Sequence, residues 1–224
     1  TECAFVGLML QPGMVFIDVG ANDGYYTLFA ARRVGPSGRV ISVEPSSRER
    51  AHLQRNLGRN GLDNVQVVAA ALGAEAGFVD LHLAHGVHAG HNTLGDFAHD
   101  DVVRASSERV TLDTLDAVVA RHGLSQVDMV KIDVEGGEAG VVAGARTVLA
   151  TARPVLLMEL NERALHAQGQ SADALLTVLR DELNYQILTF SQTGGWPECI
   201  VEGAPLSPNV VAVPKERAET LLKA

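Results

Sequence analysis

Short apolar runs alternate with longer segments of helical periodicity along most of the chain. The runs predicted as strands are residues 15–19, 39–44, 65–71, 127–135, 155–160, 185–190 and 210–213. The segments predicted as helices are residues 25–34, 47–59, 113–121, 138–150, 172–183 and 215–222. Several strand runs are continuously apolar, which is typical of strands covered on both faces. The pattern predicts an α/β fold, with residues 1–224 forming one doubly wound domain around a predominantly parallel sheet.

One stretch departs from this alternation. Residues 77–101 have no helical period: positions 78–83 alternate like an edge strand or hairpin, and Gly, His and Asn then accumulate. Long irregular insertions in compact α/β domains are commonly lids or binding loops. We therefore expect an inserted hairpin or loop at about 77–110 within the single domain.

Composition and charge narrow the classes of partner. The chain has 224 residues with a net charge of −9, which argues against a nucleic-acid partner because a duplex binder needs a basic face. No apolar run approaches ~18 residues, so we expect no membrane span.

The cysteines and the first residues bear on the cellular compartment and on the N-terminal segment. Cys3 and Cys199 are far apart and show no CxxC spacing, which favours a reduced, cytoplasmic compartment and leaves one disulfide as the alternative. The chain begins at Thr1 without a Met or a signal-peptide pattern. We expect that its natural N-terminal segment is missing.

The stretch "VFIDVGANDGYYT" ends the first predicted strand and begins the first predicted helix. Gly20 and Gly24 lack a Cβ, so the backbone can turn tightly and approach a ligand there. Ligands of open α/β sheets bind at the carboxyl ends of strands. Glu44, twenty residues after Gly24, ends the second strand and can accept hydrogen bonds from a ribose diol. This much fits NAD as well as other nucleoside cofactors.

Two residues favour S-adenosylmethionine over NAD. Asn22 interrupts the G-x-G-x-x-G pattern of a dinucleotide site, and Asp18 would repel a pyrophosphate. S-adenosylmethionine has no phosphate and carries a sulfonium and an ammonium, so a nearby carboxylate suits it. The alternative is a plain strand–turn–helix junction whose glycines serve packing.

A second cluster lies in "VDMVKIDVEGGE". Strand alternation places Lys131, Asp133 and Glu135 on one side of the chain, and Glu138 follows at the next helix. Burying several like charges together is costly, so a cluster at the end of a strand favours a functional site. The alternative is that Lys131 pairs with one acid and the others cap the helix.

The motifs "VFIDVGANDGYYTLFAA", "VISVEPS", "VTLDTLD", "VKIDVEGGE" and "PVLLMELN" follow one another as in the FkbM-like family of S-adenosylmethionine-dependent methyltransferases. The resemblance runs over about residues 13–161. It implies a class I methyltransferase fold with a seven-stranded sheet whose last strand is antiparallel. It also implies methyl transfer to a hydroxyl of a small-molecule acceptor, such as a natural product, polyketide or sugar.

The resemblance also implies cofactor contacts. The first turn would surround the methionine portion, Glu44 would hold the ribose, and Ala70 and Ala71 would approach the adenine. Tyr26, just past the glycine turn, is expected to cover the cofactor, with packing as the alternative. The residues expected at the cofactor are Asp18, Gly20, Asn22, Gly24, Tyr26, Glu44, Ala70, Ala71 and Asp133.

Methylation of an alcohol requires help with deprotonation. Asp133 and Glu135 are the first candidates for the base, with Lys131 orienting one of them. The rival is His91, one of five histidines in the inserted segment, because imidazole titrates near neutral pH. The carboxylates could also hold a divalent metal, but their spacing does not demand one and we expect none to be required. Glu159 either contributes to the acceptor site or caps a loop.

Other functions remain open at the level of sequence. An N- or carboxyl-methyltransferase would use the same cofactor. An NAD-dependent oxidoreductase is disfavoured by Asp18 and Asn22, and a non-catalytic cofactor-binding module is disfavoured by the charged cluster at 131–138.

Overall fold

The protein is described by a computed structural model that covers residues 2–85, 92–95, 97, 104–191, 196–200 and 207–221. The helices are α1 (Glu2–Met9), α2 (Tyr25–Val34), α3 (Ser47–Asn60), α4 (Leu115–Arg121), α5 (Glu138–Ala143), α6 (Arg146–Thr151), α7 (Glu162–Ala167), α8 (Ala172–Thr177), which continues as a π-helical turn (Val178–Glu182), and α9 (Lys215–Leu221). The strands are β1 (Val15–Val19), β2 (Arg39–Val43), β3 (Val65–Val68), β4 (Ala71–Leu72), β5 (Gly77–Ala84), β6 (Arg104–Asp113), β7 (Met129–Ile132), β8 (Val155–Glu159), β9 (Tyr185–Thr189), β10 (Glu198–Cys199) and β11 (Asn209–Pro214).

The main sheet has eight strands in the order β10-β9-β11-β8-β7-β1-β2-β3. β1 pairs in parallel with β2 and β7, and β7 pairs in parallel with β8. The last long strand, β11, runs antiparallel to both β8 and β9. The predicted doubly wound, mostly parallel sheet is confirmed. The sheet has eight strands instead of the expected seven because the two-residue β10 adds to one edge.

Helices cover both faces of this sheet. Successive strand residues point to opposite faces, so Ile17 and Val130 join one buried cluster while Phe16 and Met129 join the other. Both clusters are almost wholly apolar, which explains why the strand runs show no polar alternation. The first cluster packs under α4 to α8 and the second under α1, α2 and α9.

A second sheet of three strands, in the order β4-β6-β5, stands beside the main one. β5 and β6 form an antiparallel hairpin whose pairs run from Gly77 with Leu112 to Ala84 with Arg104. Between them, Thr93 forms an isolated bridge with His82. The hairpin lies in the stretch where the sequence predicts an insertion, and it brings Leu81 and Leu94 towards the main sheet.

Some predicted boundaries are wrong. The predicted strand 65–71 ends at Val68 and resumes as β4 in the second sheet, and the predicted strand 127–135 is limited to Met129–Ile132. The predicted helix 138–150 divides at Gly144, where a Cβ would overlap the backbone of Gly73. Helices α1 and α7 were not predicted.

Two further expectations concern the cysteines and a membrane span. Both cysteines are free. Within the described part of the chain, the structure contains no helix with the length and apolar character needed to cross a membrane.

Candidate functional site

A cleft of about 200 Å³, partly open to solvent, lies at the carboxyl ends of β1, β2, β7 and β8. The second sheet forms its far wall. The residues that line it are Val19, Gly20, Asn22, Val43, Glu44, Pro45, Glu49, Ala70, Ala71, Leu72, Leu81, Asn92, Leu94, Asp133, Val134, Glu135, Gly137 and Glu159. Its position is the usual ligand site of an open α/β sheet.

The ionisable groups of the cleft share one sign. Five carboxylates line it, Glu44, Glu49, Asp133, Glu135 and Glu159, and the described lining residues include no Lys, Arg or His. Opposite charges attract strongly at short range in a partly desolvated site. The cleft therefore favours a cationic ligand and disfavours a phosphate.

The first turn brings two loops into contact. Gly20 has φ +78°, and a Cβ there would overlap the carbonyl oxygen of Asp133. Asn22 also has a left-handed backbone, with φ 51°, and its backbone N–H donates to Glu44 Oε2 at 2.8 Å. Gly20 and Asn22 both line the cleft. Through these contacts the turn connects the ends of β1, β2 and β7.

Gly24 has a packing role. It precedes α2 with φ +96°, and a Cβ there would overlap the side chains of Leu53 and Leu28. It is not among the residues that line the cleft. This glycine allows α2 to pack on α3, and its approach to a ligand stays a prediction.

Asp18 is not among the residues that line the cleft either, and its expected contact with the cofactor stays a prediction. Alternation along β1 turns Val19 to the cleft and Asp18 to α2. There Asp18 Oδ2 accepts a hydrogen bond from Thr27 Oγ1 at 2.6 Å, and Oδ1 lies 3.8 Å from Lys131 Nζ. Burial raises the pKa of Asp18, and the charge of Lys131 partly offsets the shift.

Lys131 lies beneath the cleft, between two carboxylates. Its Nζ donates to Asp133 Oδ2 at 3.0 Å and lies 3.8 Å from Asp18. Burial lowers the pKa of Lys131, but Asp133 and Asp18 outweigh it and the pKa is raised overall. Tyr26 lies over this ammonium, with its ring centroid 4.9 Å from Nζ. Tyr26 thus covers Lys131 and is not among the residues that line the cleft, and its contact with the cofactor stays a prediction.

Asp133, Glu135 and Glu159 form the acidic wall of the cleft. Because β7 ends at Ile132, Asp133 and Glu135 belong to a turn and not to the strand that alternation assumed. Burial, with the charge of Asp133 second, raises the pKa of Glu135 to about 7. The same two causes raise the pKa of Glu159 to about 7. These carboxyls titrate near neutral pH.

The opposite half of the cleft combines one acid with apolar residues. Both oxygens of Glu44 accept backbone amides, from Asn22 at 2.8 Å and from Ser46 at 2.9 Å. Burial raises the pKa of Glu44 to about 7, although these hydrogen bonds oppose the shift. Ala70 and Ala71 lie at this end of the cleft with other apolar residues, which suits a flat ring.

Two further polar residues line the cleft, Glu49 and Asn92, and sequence reasoning gave neither a role of its own. Glu49 is buried, is bonded to Ser46, and accepts from Arg48 Nε at 2.7 Å and from Asn92 Nδ2 at 3.1 Å. The S-x-x-E spacing of Ser46 and Glu49 is a helix-start signature that could have identified the glutamate. Asn92 has no such signature: its side chain bonds to Ala84, 8 residues away, and to Glu49 and Arg48, 43 and 44 residues away.

The proposed histidine base cannot be compared with this geometry, because His91 lies outside the described residues. His82, which is described, places Nδ1 2.9 Å from the carbonyl oxygen of Gly95 and does not line the cleft. No three His, Cys, Asp or Glu side chains come together as a metal site in the described ranges. The expectation that no metal is required stays a prediction.

Comparison with known proteins shows similarity to methyltransferases over most of the chain. The sequence profile of the methyltransferase FkbM domain matches residues 18–187. The chain is 26% identical over 192 residues to the 2-O-methyltransferase NoeI of Sinorhizobium fredii, covering 78% of this chain and 74% of NoeI. It is 32% identical over 205 residues to the AMB antimetabolite synthetase AmbE of Pseudomonas aeruginosa, covering 78% of this chain. That match spans only 10% of AmbE.

A solved structure shows the same fold. The methyltransferase FkbM from Methylobacillus flagellatus matches with a TM-score of 0.54 and 16% identity, over 94% of this chain and 50% of that one. The profile match includes the first turn, the acidic turn after β7 and most of the main sheet. The predicted family of S-adenosylmethionine-dependent methyltransferases is confirmed: the chain belongs to the FkbM methyltransferase family.

Proposed function

We propose that this chain transfers a methyl group from S-adenosylmethionine to a hydroxyl of a small molecule, such as a natural product, polyketide or sugar. The observation that carries the proposal is the acidic lining of the cleft: every ionisable side chain among its described lining residues is a carboxylate. S-adenosylmethionine is phosphate-free and bears a sulfonium and an ammonium, so its charge complements the site. A nucleic acid, as a polyanion, would be repelled there.

The proposed position of the donor follows from the shape of the cleft. Glu44 would accept hydrogen bonds from the ribose hydroxyls with the lone pairs that its two amide donors leave free. Ala70 and Ala71 would face the adenine. The methionine portion would lie along Gly20 and Asn22, close to the acidic wall.

The chain would contribute orientation and a base. When bound, S-adenosylmethionine supplies an electrophilic methyl group on a positively charged sulfur. Glu135 would take the proton of the acceptor hydroxyl while the acceptor oxygen forms the new bond to the methyl carbon, the carbon–sulfur bond would break, and S-adenosylhomocysteine would leave. A base with a pKa of about 7 is suited to this step at neutral pH. Asp133, held by Lys131 at 3.0 Å, would orient the reacting groups.

Transfer to oxygen is supported by one relative in particular. NoeI, which covers most of this chain, is named a 2-O-methyltransferase. Transfer to nitrogen or to a carboxylate would use the same donor site, and a non-catalytic module would bind the donor without turnover. An oxidoreductase is disfavoured because the acidic wall and Asn22 do not suit a pyrophosphate.

The test is a transfer assay with methyl-labelled S-adenosylmethionine. Matched acceptors would be compared, each a sugar or polyketide alcohol beside its amine and carboxylic acid analogues, with a short RNA as a further acceptor. We expect label on the alcohols and a mass gain of one CH2 unit. Label confined to amines, carboxylates or RNA would contradict the proposed acceptor class, and donor binding without any transfer would favour the module.

A further inference from the structure

The backbone of Glu135 is unusual for a residue with a side chain. Its φ is 52°, in the left-handed region. Such a conformation costs of the order of 1–3 kcal/mol in a residue other than glycine, and it persists only where the surroundings enforce it. Glu135 nevertheless places its carboxylate among the residues that line the cleft.

Two distant side chains contact the backbone of Glu135 at one atom. The carbonyl oxygen of Glu135 accepts a hydrogen bond from Thr93 Oγ1 at 2.9 Å and another from Gln168 Nε2 at 3.1 Å. Gln168 Nε2 also lies 3.4 Å from Thr93 Oγ1. The hydroxyl comes from the segment inside the β5–β6 hairpin, and the amide comes from the end of α7.

The rest of the turn is fixed as well. Glu138 Oε1 accepts the amides of Val134 and Gly136 at 3.1 and 3.2 Å. A Cβ on Gly136 would overlap the carbonyl oxygen of Ala164, so α7 packs directly on the backbone after Glu135. Glu138 therefore holds the backbone amides on either side of Glu135, while Thr93 and Gln168 hold the carbonyl of Glu135.

Thr93 is itself immobilised. It is only 3% exposed, and its backbone exchanges two hydrogen bonds with His82, at 2.8 and 3.1 Å. The next residue, Leu94, lines the cleft. The hairpin therefore reaches the acidic wall at a defined point.

We propose that Thr93 and Gln168 are positioning residues that hold Glu135 in its left-handed conformation, so that its carboxylate faces the cationic methyl end of the donor, where the acceptor hydroxyl would approach. This inference rests on the proposed function. It makes the inserted hairpin part of the catalytic machinery, because a displacement of Thr93 would turn the Glu135 peptide and withdraw the carboxylate.

The experiment is calorimetric titration of the full chain with S-adenosylmethionine and with S-adenosylhomocysteine, whose sulfur is neutral. The variants are Thr93→Val, Thr93→Ser, Glu135→Gln and the double variant Thr93→Val/Glu135→Gln. Thr151→Val is the matched control, because Thr151 Oγ1 also donates to a backbone carbonyl, that of Thr147 at 2.7 Å, and Thr151 ends α6 shortly before the amino end of β8, away from the cleft.

We expect Thr93→Val to weaken the charged donor roughly two- to tenfold, the span expected for one hydrogen bond, with less effect on S-adenosylhomocysteine. Thr93→Ser should restore affinity and Thr151→Val should leave it unchanged. The double variant should bind no more weakly than Glu135→Gln, because coupled residues are non-additive. If Thr93→Val does not fold, Gln168→Met removes the second donor to the same carbonyl and is read in the same way.

Other results would overturn the inference. If Thr93→Val binds the donor as the wild type does, or if its effect adds fully to that of Glu135→Gln, Thr93 does not act through Glu135. In both cases the proposed function stands, because the wild type binds the donor. If the wild type itself binds neither compound, the proposed function fails, and this inference fails with it.

Discussion

Lys131 joins two carboxylates that the sequence presented as separate motifs. Its Nζ lies 3.0 Å from Asp133 and 3.8 Å from Asp18, and its side chain is only 9% exposed. Asp18 is 1% exposed, so a single cation balances a fully buried carboxylate and one at the cleft. The acid of the first motif is thus linked through Lys131 to the acid of the second.

Replacing Lys131 should be costly for stability. Lys131→Met leaves Asp18 buried without its cation, and breaking a buried pair in this way typically destabilises by about 3–5 kcal/mol. Arg146→Met is the matched control because Arg146 pairs with Glu182 at 2.8 Å on the surface, where both side chains are about half exposed. That pair should contribute about 0–1 kcal/mol. Urea unfolding at neutral pH measures both, and equal losses would refute the role given to Lys131.

At the scale of elements, the site depends on the contact between the β1–α2 turn and the turn after β7. Gly20 is the point of contact, because its backbone lies against the carbonyl of Asp133. The glycine motif therefore serves two purposes. Gly20 brings two loops together at the cleft, whereas Gly24 brings two helices together behind it.

Gly20→Ala tests this contact. A Cβ at position 20 would overlap the Asp133 backbone, whereas Gly35, with a similar φ of +64°, has nothing within 4 Å of a Cβ. Both substitutions place alanine at a positive φ, so Gly35→Ala isolates the conformational cost. We expect Gly20→Ala to lose donor binding and to melt well below Gly35→Ala. Similar melting temperatures and intact binding in both would contradict the proposed contact.

The sequence predicted the elements that carry local signals. Helix α2 has the predicted bounds, Tyr25–Val34, and α8 begins at Ala172 as predicted, where the Ser171 side chain accepts the backbone amide of Ala174. Strand β7 is shorter than predicted. An apolar run does not show where the backbone leaves the strand for the turn that contains the left-handed Glu135. Thr93 could not be assigned from sequence, since its contact with Glu135 spans 42 residues and leaves no local pattern.

For the molecule as a whole, the acidic cleft makes stability depend on pH. The pKa values of Glu44, Glu135 and Glu159 are each raised to about 7, with burial as the first cause. Between the ordinary value of a glutamate and about 7, the folded state binds more protons than the unfolded state. Stability therefore falls as pH rises through this window.

We expect the melting temperature of the ligand-free protein to decrease from about pH 5 to about pH 7.5. A bound cationic donor stabilises the ionised carboxylates, so saturating S-adenosylmethionine should flatten this slope. The double variant Glu135→Gln/Glu159→Gln should also flatten it, whereas Glu182→Gln, at an exposed pair, should not. Thermal melts over a pH series provide the measurement, and a rising profile in the ligand-free wild type would contradict the assignment of raised pKa values.

The central claim is that the acidic cleft at the ends of β1, β2 and β7 receives a cationic, phosphate-free methyl donor. Calorimetric titration of the wild-type chain with S-adenosylmethionine and, separately, with NAD tests it most directly. The account predicts saturable binding of S-adenosylmethionine that weakens with added salt, as screening requires, and no binding of NAD. Binding of NAD in the absence of any binding of S-adenosylmethionine would contradict it.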